Sequence, residues 1–172
     1  MSLLAALVGQ PALGQHDETV RAIQATYLYK FGPFIEWPMA AFDGPGAPLR
    51  LCIVGHDPFG AMAEQAVAGQ QIRQRPIEIR RMRTVEAGAD CHILYAGGSE
   101  VQPVYAILDT VRGLPVLTVT SDAPPSVSGI VNFVVRDGRV RFEIDDQAAA
   151  ENGLAISSKV LSLALRVRPR GS

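Results

Sequence analysis

Apolar and polar positions along the chain follow two periods, and the switches between them mark out its elements. Val20, Ile23, Tyr27 and Phe31 recur at helical spacing, so residues 18–31 read as a helix capped by Asp17 or Thr19 and ended by Gly32-Pro33. After a Gly/Pro-rich link at 43–48, LRLCIVG (49–55) is an almost continuous apolar run, the mark of a buried strand. Asp57-Pro58 then opens a helix running to about Val67, with the carboxylate as cap and the proline at its first position. RPIEIRRM (75–82) alternates as a strand, and CHILYAG (91–97) is a second buried strand. Residues 101–112 form a helix, and LPVLTVTS (114–121) a third buried strand. This β-α-β-β-α-β order predicts an α/β fold with a mostly parallel central sheet flanked by helices.

The C-terminal third carries the sharpest local signal. Within residues 130–145, IVNFVVRDGRVRFEID, two alternating runs flank Asp137-Gly138, a preferred pair for a two-residue type I′ hairpin. That turn sets Val135 opposite Val140, Phe133 opposite Phe142 and Val131 opposite Ile144, giving one wholly apolar face for the core. The other face carries Asn132 opposite Glu143, Val134 opposite Arg141 and Arg136 opposite Arg139, and is expected to be solvated or to meet a partner. DDQAAAENGL (145–154) reads as a short helix capped by its aspartates and stopped at Asn152-Gly153. SSKVLSLALRVR (157–168) reads as a closing helix from a serine cap, although its second half also alternates. The α/β sheet is thus expected to be followed by a C-terminal β-hairpin and helices.

Composition narrows the class. A length of 172 residues suits one domain, and 48% apolar with 19% charged residues is a globular balance. A net charge of −1 leaves no basic footprint, so nucleic acid is not an expected partner. The runs Arg80, Arg81, Arg83 and Arg166, Arg168, Arg170 read as solvated faces. At the N-terminus, LLAALVGQPALGQ is apolar and ends in small residues at signal-peptidase spacing. Residues 1–15 are read as a signal-peptide remnant and 16–172 as a single domain, which predicts an exported, periplasmic protein. The competing reading is an apolar leader packed on the domain. Cys52 and Cys91 form a disulfide in such a compartment, or else serve as two buried thiols.

A search for chemistry yields no catalytic constellation. Gathering Cys52, His56, Cys91 and His92 around a metal fails because neighbouring strand residues such as Cys91 and His92 point to opposite faces. GHDPFG after the first strand lacks phosphate-loop spacing, and Pro58 removes an amide. Ser126, Ser128, Ser157 and Ser158 sit in turns and caps, without a nucleophile elbow. No enzyme activity, cofactor or metal is expected. The alternative to a regulatory binding protein is a periplasmic small-molecule-binding module with its ligand at the strand ends, around residues 55–57 and 97–99. A hydrolase ranks third.

The order of the segments ATYLYKFGPFIEWP, LCIVGHDPFG, CHILYAGGS, PVLTVTS, GIVNFVVRDGRVRFEID and NGLAISSKVLSLA resembles the YfiR-like proteins over about residues 20–165. The resemblance implies a periplasmic regulator without catalytic activity. It would inhibit an inner-membrane diguanylate cyclase through that enzyme's periplasmic sensory part, and be relieved by an outer-membrane peptidoglycan-binding lipoprotein. It further implies a homodimer, an output in cyclic-di-GMP and biofilm, and a family cysteine pair falling on Cys52 and Cys91. A second pair that goes with the later region has no counterpart here. Within the aromatic segment, Tyr27, Phe31 and Phe34 are expected to plug the core. Trp37 is expected to be a core lid or part of a docking surface. The outward hairpin residues Asn132, Arg141 and Glu143, with Trp37, are the candidate partner contacts.

Overall fold

The computed structural model describes residues 13–171, so residues 1–12, which hold most of the expected leader, lie outside the described residues. The helices are α1 (Leu13–Lys30), α2 (Ala61–Val67), α3 (Val104–Thr110), α4 (Asp146–Glu151) and α5 (Ser158–Leu163). The strands are β1 (Ile35–Glu36), β2 (Leu49–Gly55), β3 (Gln71–Ile72), β4 (Arg75–Met82) and β5 (Ile93–Gly98), followed by β6 (Leu117–Ser121), β7 (Val131–Arg136), β8 (Arg139–Asp145), β9 (Ala155–Ile156) and β10 (Arg166–Arg168). Eight of them form one sheet in the order β10-β8-β7-β6-β5-β2-β4-β3, while β1 and β9 make a separate antiparallel pair. Strands β4, β2, β5, β6 and β7 are parallel to one another, as the apolar runs predict.

Alternation along the strands splits the core in two. Leu49, Leu51 and Ile53 of β2, with Ile93 and Tyr95 of β5 and Leu117 and Val119 of β6, pack with Ala25, Leu28 and Phe31 of α1. The residues between them, Cys52, Val54, Leu94 and Ala96, pack with Ile107 and Val111 of α3. An α/β sheet covered on both faces needs such near-continuous apolar strands. The hairpin has the register expected of its turn, Val135 opposite Val140 and Phe133 opposite Phe142, with Asp137 at φ 52° and Gly138 at φ 70°. Gly153, at φ 71°, follows α4 as expected.

Several expectations need correction. Helix α1 begins upstream of both proposed caps, and Thr19 instead donates its hydroxyl to the Gln15 carbonyl at 2.9 Å. Helix α2 begins at Ala61, because Gly60 at φ 51° breaks the turn that Asp57 organises by accepting from the Phe59 and Gly60 amides at 2.8 and 3.2 Å. Helix α3 starts only after Pro103. The closing helix stops at Leu163, where Ala164 turns extended at ψ 142° and Arg166–Arg168 join the sheet as a strand parallel to β8. Phe34 does not plug the core; 36% of it is exposed on the turn Gly32–Phe34.

Candidate functional site

The hairpin face proposed as a contact surface divides into a buried end and an open end. Asn132 is 3% exposed and belongs to the interior, which corrects its assignment as an outward contact. Its Oδ1 accepts from the Thr120 hydroxyl at 2.7 Å and the Ala123 amide at 3.2 Å, and its Nδ2 donates to the Ala123 carbonyl at 3.1 Å. The same Thr120 hydroxyl oxygen accepts from the Gly129 amide at 3.0 Å, and Thr118 accepts from Ile130 at 2.9 Å. These bonds bring the loop after β6 over Asn132, and Val134 beside it is also buried. A buried amide with both its ends paired is a structural element.

Arg141 is exposed, as expected of an outward position. Glu143 is partly covered and ion-paired to Arg166 at 2.7 Å. The run Arg166, Arg168, Arg170 is not a free basic tail either. Parallel pairing sets Arg166 beside Glu143 and Arg168 beside Asp145, and Arg168 and Arg170 bind Asp145 and Asp146 at 3.2 and 2.9 Å. Asp145 also caps α4 through the Ala148 amide at 2.9 Å. Leu163 and Leu165 stand exposed where α5 passes into β10, and the Leu165 amide donates to the Phe142 carbonyl at 2.8 Å. This sets Leu165 beside Arg141's neighbour on β8. The open end of the face is therefore Arg141, because Leu165 falls opposite Phe142 and so on the other side of β8.

Trp37 acts as a lid. Its indole N–H donates to the His92 carbonyl at 3.2 Å, and its ring meets Phe42 edge-on at 6.2 Å. Phe42 stacks on His92 at 4.1 Å, and the Arg75 guanidinium lies 3.9 Å over the other ring partner's centroid, that of Phe42. His92 is buried. Its Nδ1 accepts from the Arg50 amide at 2.9 Å while Nε2 bonds the Ala41 carbonyl at 2.7 Å, which fixes the neutral Nε2–H tautomer. Burial pushes its pKa below the usual histidine value, outweighing the opposing effect of the Ala41 bond. Tyr27 and Phe31 do plug the core, with Phe31 5.2 Å from Phe142 and 6.1 Å from Phe133.

Cys52 and Cys91 are disulfide-bonded across the edge of the α3-side core, at a Cα separation of 5.8 Å. The chain belongs to the YfiR/HmsC-like family. That family's profile matches residues 21–165, from the first turns of α1 to the residue before β10. No curated protein matches the chain. YfiR-like proteins are periplasmic regulators of cyclic-di-GMP signalling rather than enzymes, and no helix among the described residues is long and apolar enough to cross a membrane.

The crevice suggested for a small ligand is filled by main chain. The His56 amide donates to the Gly98 carbonyl at 2.8 Å, and a side chain at Gly97 would overlap the His56 carbonyl. Asp57, next in line, is tied to Arg81 at 2.7 Å, which also binds Glu64. Burial alone would raise the Asp57 pKa, but Arg81 and the two amides hold it below the usual carboxylate value. Among the described residues, no three or more His, Cys, Asp or Glu side chains gather as a metal site.

Proposed function

We propose that this protein is a non-enzymatic periplasmic inhibitor of an inner-membrane diguanylate cyclase. It binds the cyclase's sensory part and holds it inactive, works as a homodimer, and is released when an outer-membrane peptidoglycan-binding lipoprotein captures it. The observation that carries this reading is the family match over residues 21–165, which spans every layer of the fold. Inhibition of this kind needs only a difference in affinity. Each tenfold preference for the inactive cyclase shifts that equilibrium by about 1.4 kcal/mol, and a competing lipoprotein removes the shift by lowering the free inhibitor.

The proposed contact is Arg141, exposed on a hairpin whose second strand the Arg166–Glu143 pair ties to the edge strand. A charged group on a rigid strand steers a partner and fixes its orientation. Glu143 serves here by orienting Arg166, and Trp37 lies outside the contact because its indole N–H is spent on the His92 carbonyl. The test is binding of the purified protein to the purified sensory part of its host's cyclase. Saturable binding that Arg141→Glu weakens at least about tenfold, with unchanged melting temperature, supports the reading. Absence of binding at micromolar concentrations overturns it.

A further inference from the structure

Beyond β3, which pairs only with residues 75 and 76, the outer side of β4 meets no strand among the described residues, while its inner side pairs with β2 through Met82. We propose that this open stretch, residues 77–82, is where two copies of the chain join, pairing β4 with β4 antiparallel about a two-fold axis at Ile79. The proposal rests on the homodimer part of the reading above and assigns it a surface.

Charge and register carry the argument. Glu78 and Arg80 lie on one face of β4, ion-paired to each other at 2.7 Å and both half-exposed. Ile77 and Ile79 lie on the other face, partly buried against the α1-side core. A two-fold axis perpendicular to a continuous sheet keeps each face on its own side, so only residues of like parity can stand opposite one another. Three registers bring the middle of the open stretch together. Centred on Glu78, the pairing sets two carboxylates face to face and needs Pro76, which β3 already occupies. Centred on Arg80, it sets two guanidinium groups face to face. Centred on Ile79, it sets Glu78 opposite the partner's Arg80 twice over, Ile79 opposite its own copy, and Ile77 opposite the stem of the partner's Arg81. Directly opposed opposite charges stabilise a strand pair and like charges destabilise it. The charges on this edge therefore reject the neighbouring registers and select one.

The edge is also chemically open. Arg81 turns to Asp57, Glu64 and the Gly60 carbonyl on the α2 side, and among the described residues no turn or loop backbone bonds to the backbone of 77–82. Five residues from each copy make a small interface, so a dimer in the micromolar range is expected.

The test is sedimentation equilibrium on the oxidised protein, with circular dichroism confirming that each variant keeps the wild-type melting temperature. Glu78→Arg and Arg80→Glu, each alone, turn both cross-strand pairs repulsive and should raise the dimer dissociation constant at least about tenfold. The double variant Glu78→Arg/Arg80→Glu restores complementarity and should recover the wild-type constant. An equimolar mixture of the two single variants should form heterodimers, because one supplies two arginines and the other two glutamates. If the wild type dimerises and all the variants do so equally, the β4 edge is not the interface, and the homodimer reading survives. If the wild type stays monomeric to several hundred micromolar, the homodimer reading fails together with this surface.

Discussion

Replacing Asn132 with alanine separates a structural amide from a partner contact. In the folded protein its side chain makes three hydrogen bonds, two through Oδ1 to Thr120 and Ala123 and one from Nδ2 to the Ala123 carbonyl. Alanine leaves these groups without partners. A stranded buried donor or acceptor costs about 1–3 kcal/mol. Ala123 is only half-buried, so water can recover part of the loss there, and Thr120 keeps its bond from the Gly129 amide. The net cost is then about 3 kcal/mol, and for a chain of this length that lowers the melting temperature by about 6–12 °C. Thermal and urea unfolding followed by circular dichroism, with the disulfide intact, measures it. Arg141→Ala, made beside it, should stay within about 0.5 kcal/mol of wild type, as expected of an exposed side chain. Coupling with Thr120→Val adds a check, since two residues in one network should be non-additive by about 0.5–3 kcal/mol. An Asn132→Ala protein as stable as wild type would show that the amide is not a structural element.

Other perturbations probe the remaining joints. Reducing the Cys52–Cys91 bond frees a loop with a sequence separation of 39. In the chain-entropy account this loses about 4 kcal/mol, visible as a lower urea midpoint in reductant; equal midpoints would count against any stabilising role for the bond. His92 supplies a pH signature. Its folded pKa lies below its unfolded value, so the unfolded chain binds the extra proton first, and stability is lost as pH falls below about 6.5. Urea titrations at pH 7.5 and 5.5 should show that loss in the wild type and a flatter profile in His92→Phe, whose baseline stability is lower. A parallel decline in both would remove His92 as the cause.

Much of this architecture could be read from the chain because local signals and burial agree. The Asp137-Gly138 turn and the alternation on both sides of it set the hairpin register, and apolar runs set the parallel strands. The failures have physical causes of their own. Strand β10 reads as helix from the chain alone because LALRVR fits both periods, and only its pairing with β8 decides the matter. The Asn132 face reads as solvated or partner-facing because a period of two tells which residues share a face, not what lies over it. What lies over it is a backbone segment nine residues earlier in the chain, and no pattern within β7 records that. The two-residue pair β1–β9 is too short to leave any periodicity. The alternation of β4 is legible in the chain, but its open side follows only from the strand order of the sheet.

The most direct test of the central claim is cyclic-di-GMP in the host. The gene is deleted, the nucleotide is extracted and quantified, and the chain is restored either with an export signal or without one. Deletion should raise the level, only the exported form should reverse the rise, and exported Arg141→Glu should reverse it poorly. A level unchanged by deletion, or reversed equally by a form kept in the cytoplasm, would contradict a periplasmic inhibitor of a diguanylate cyclase.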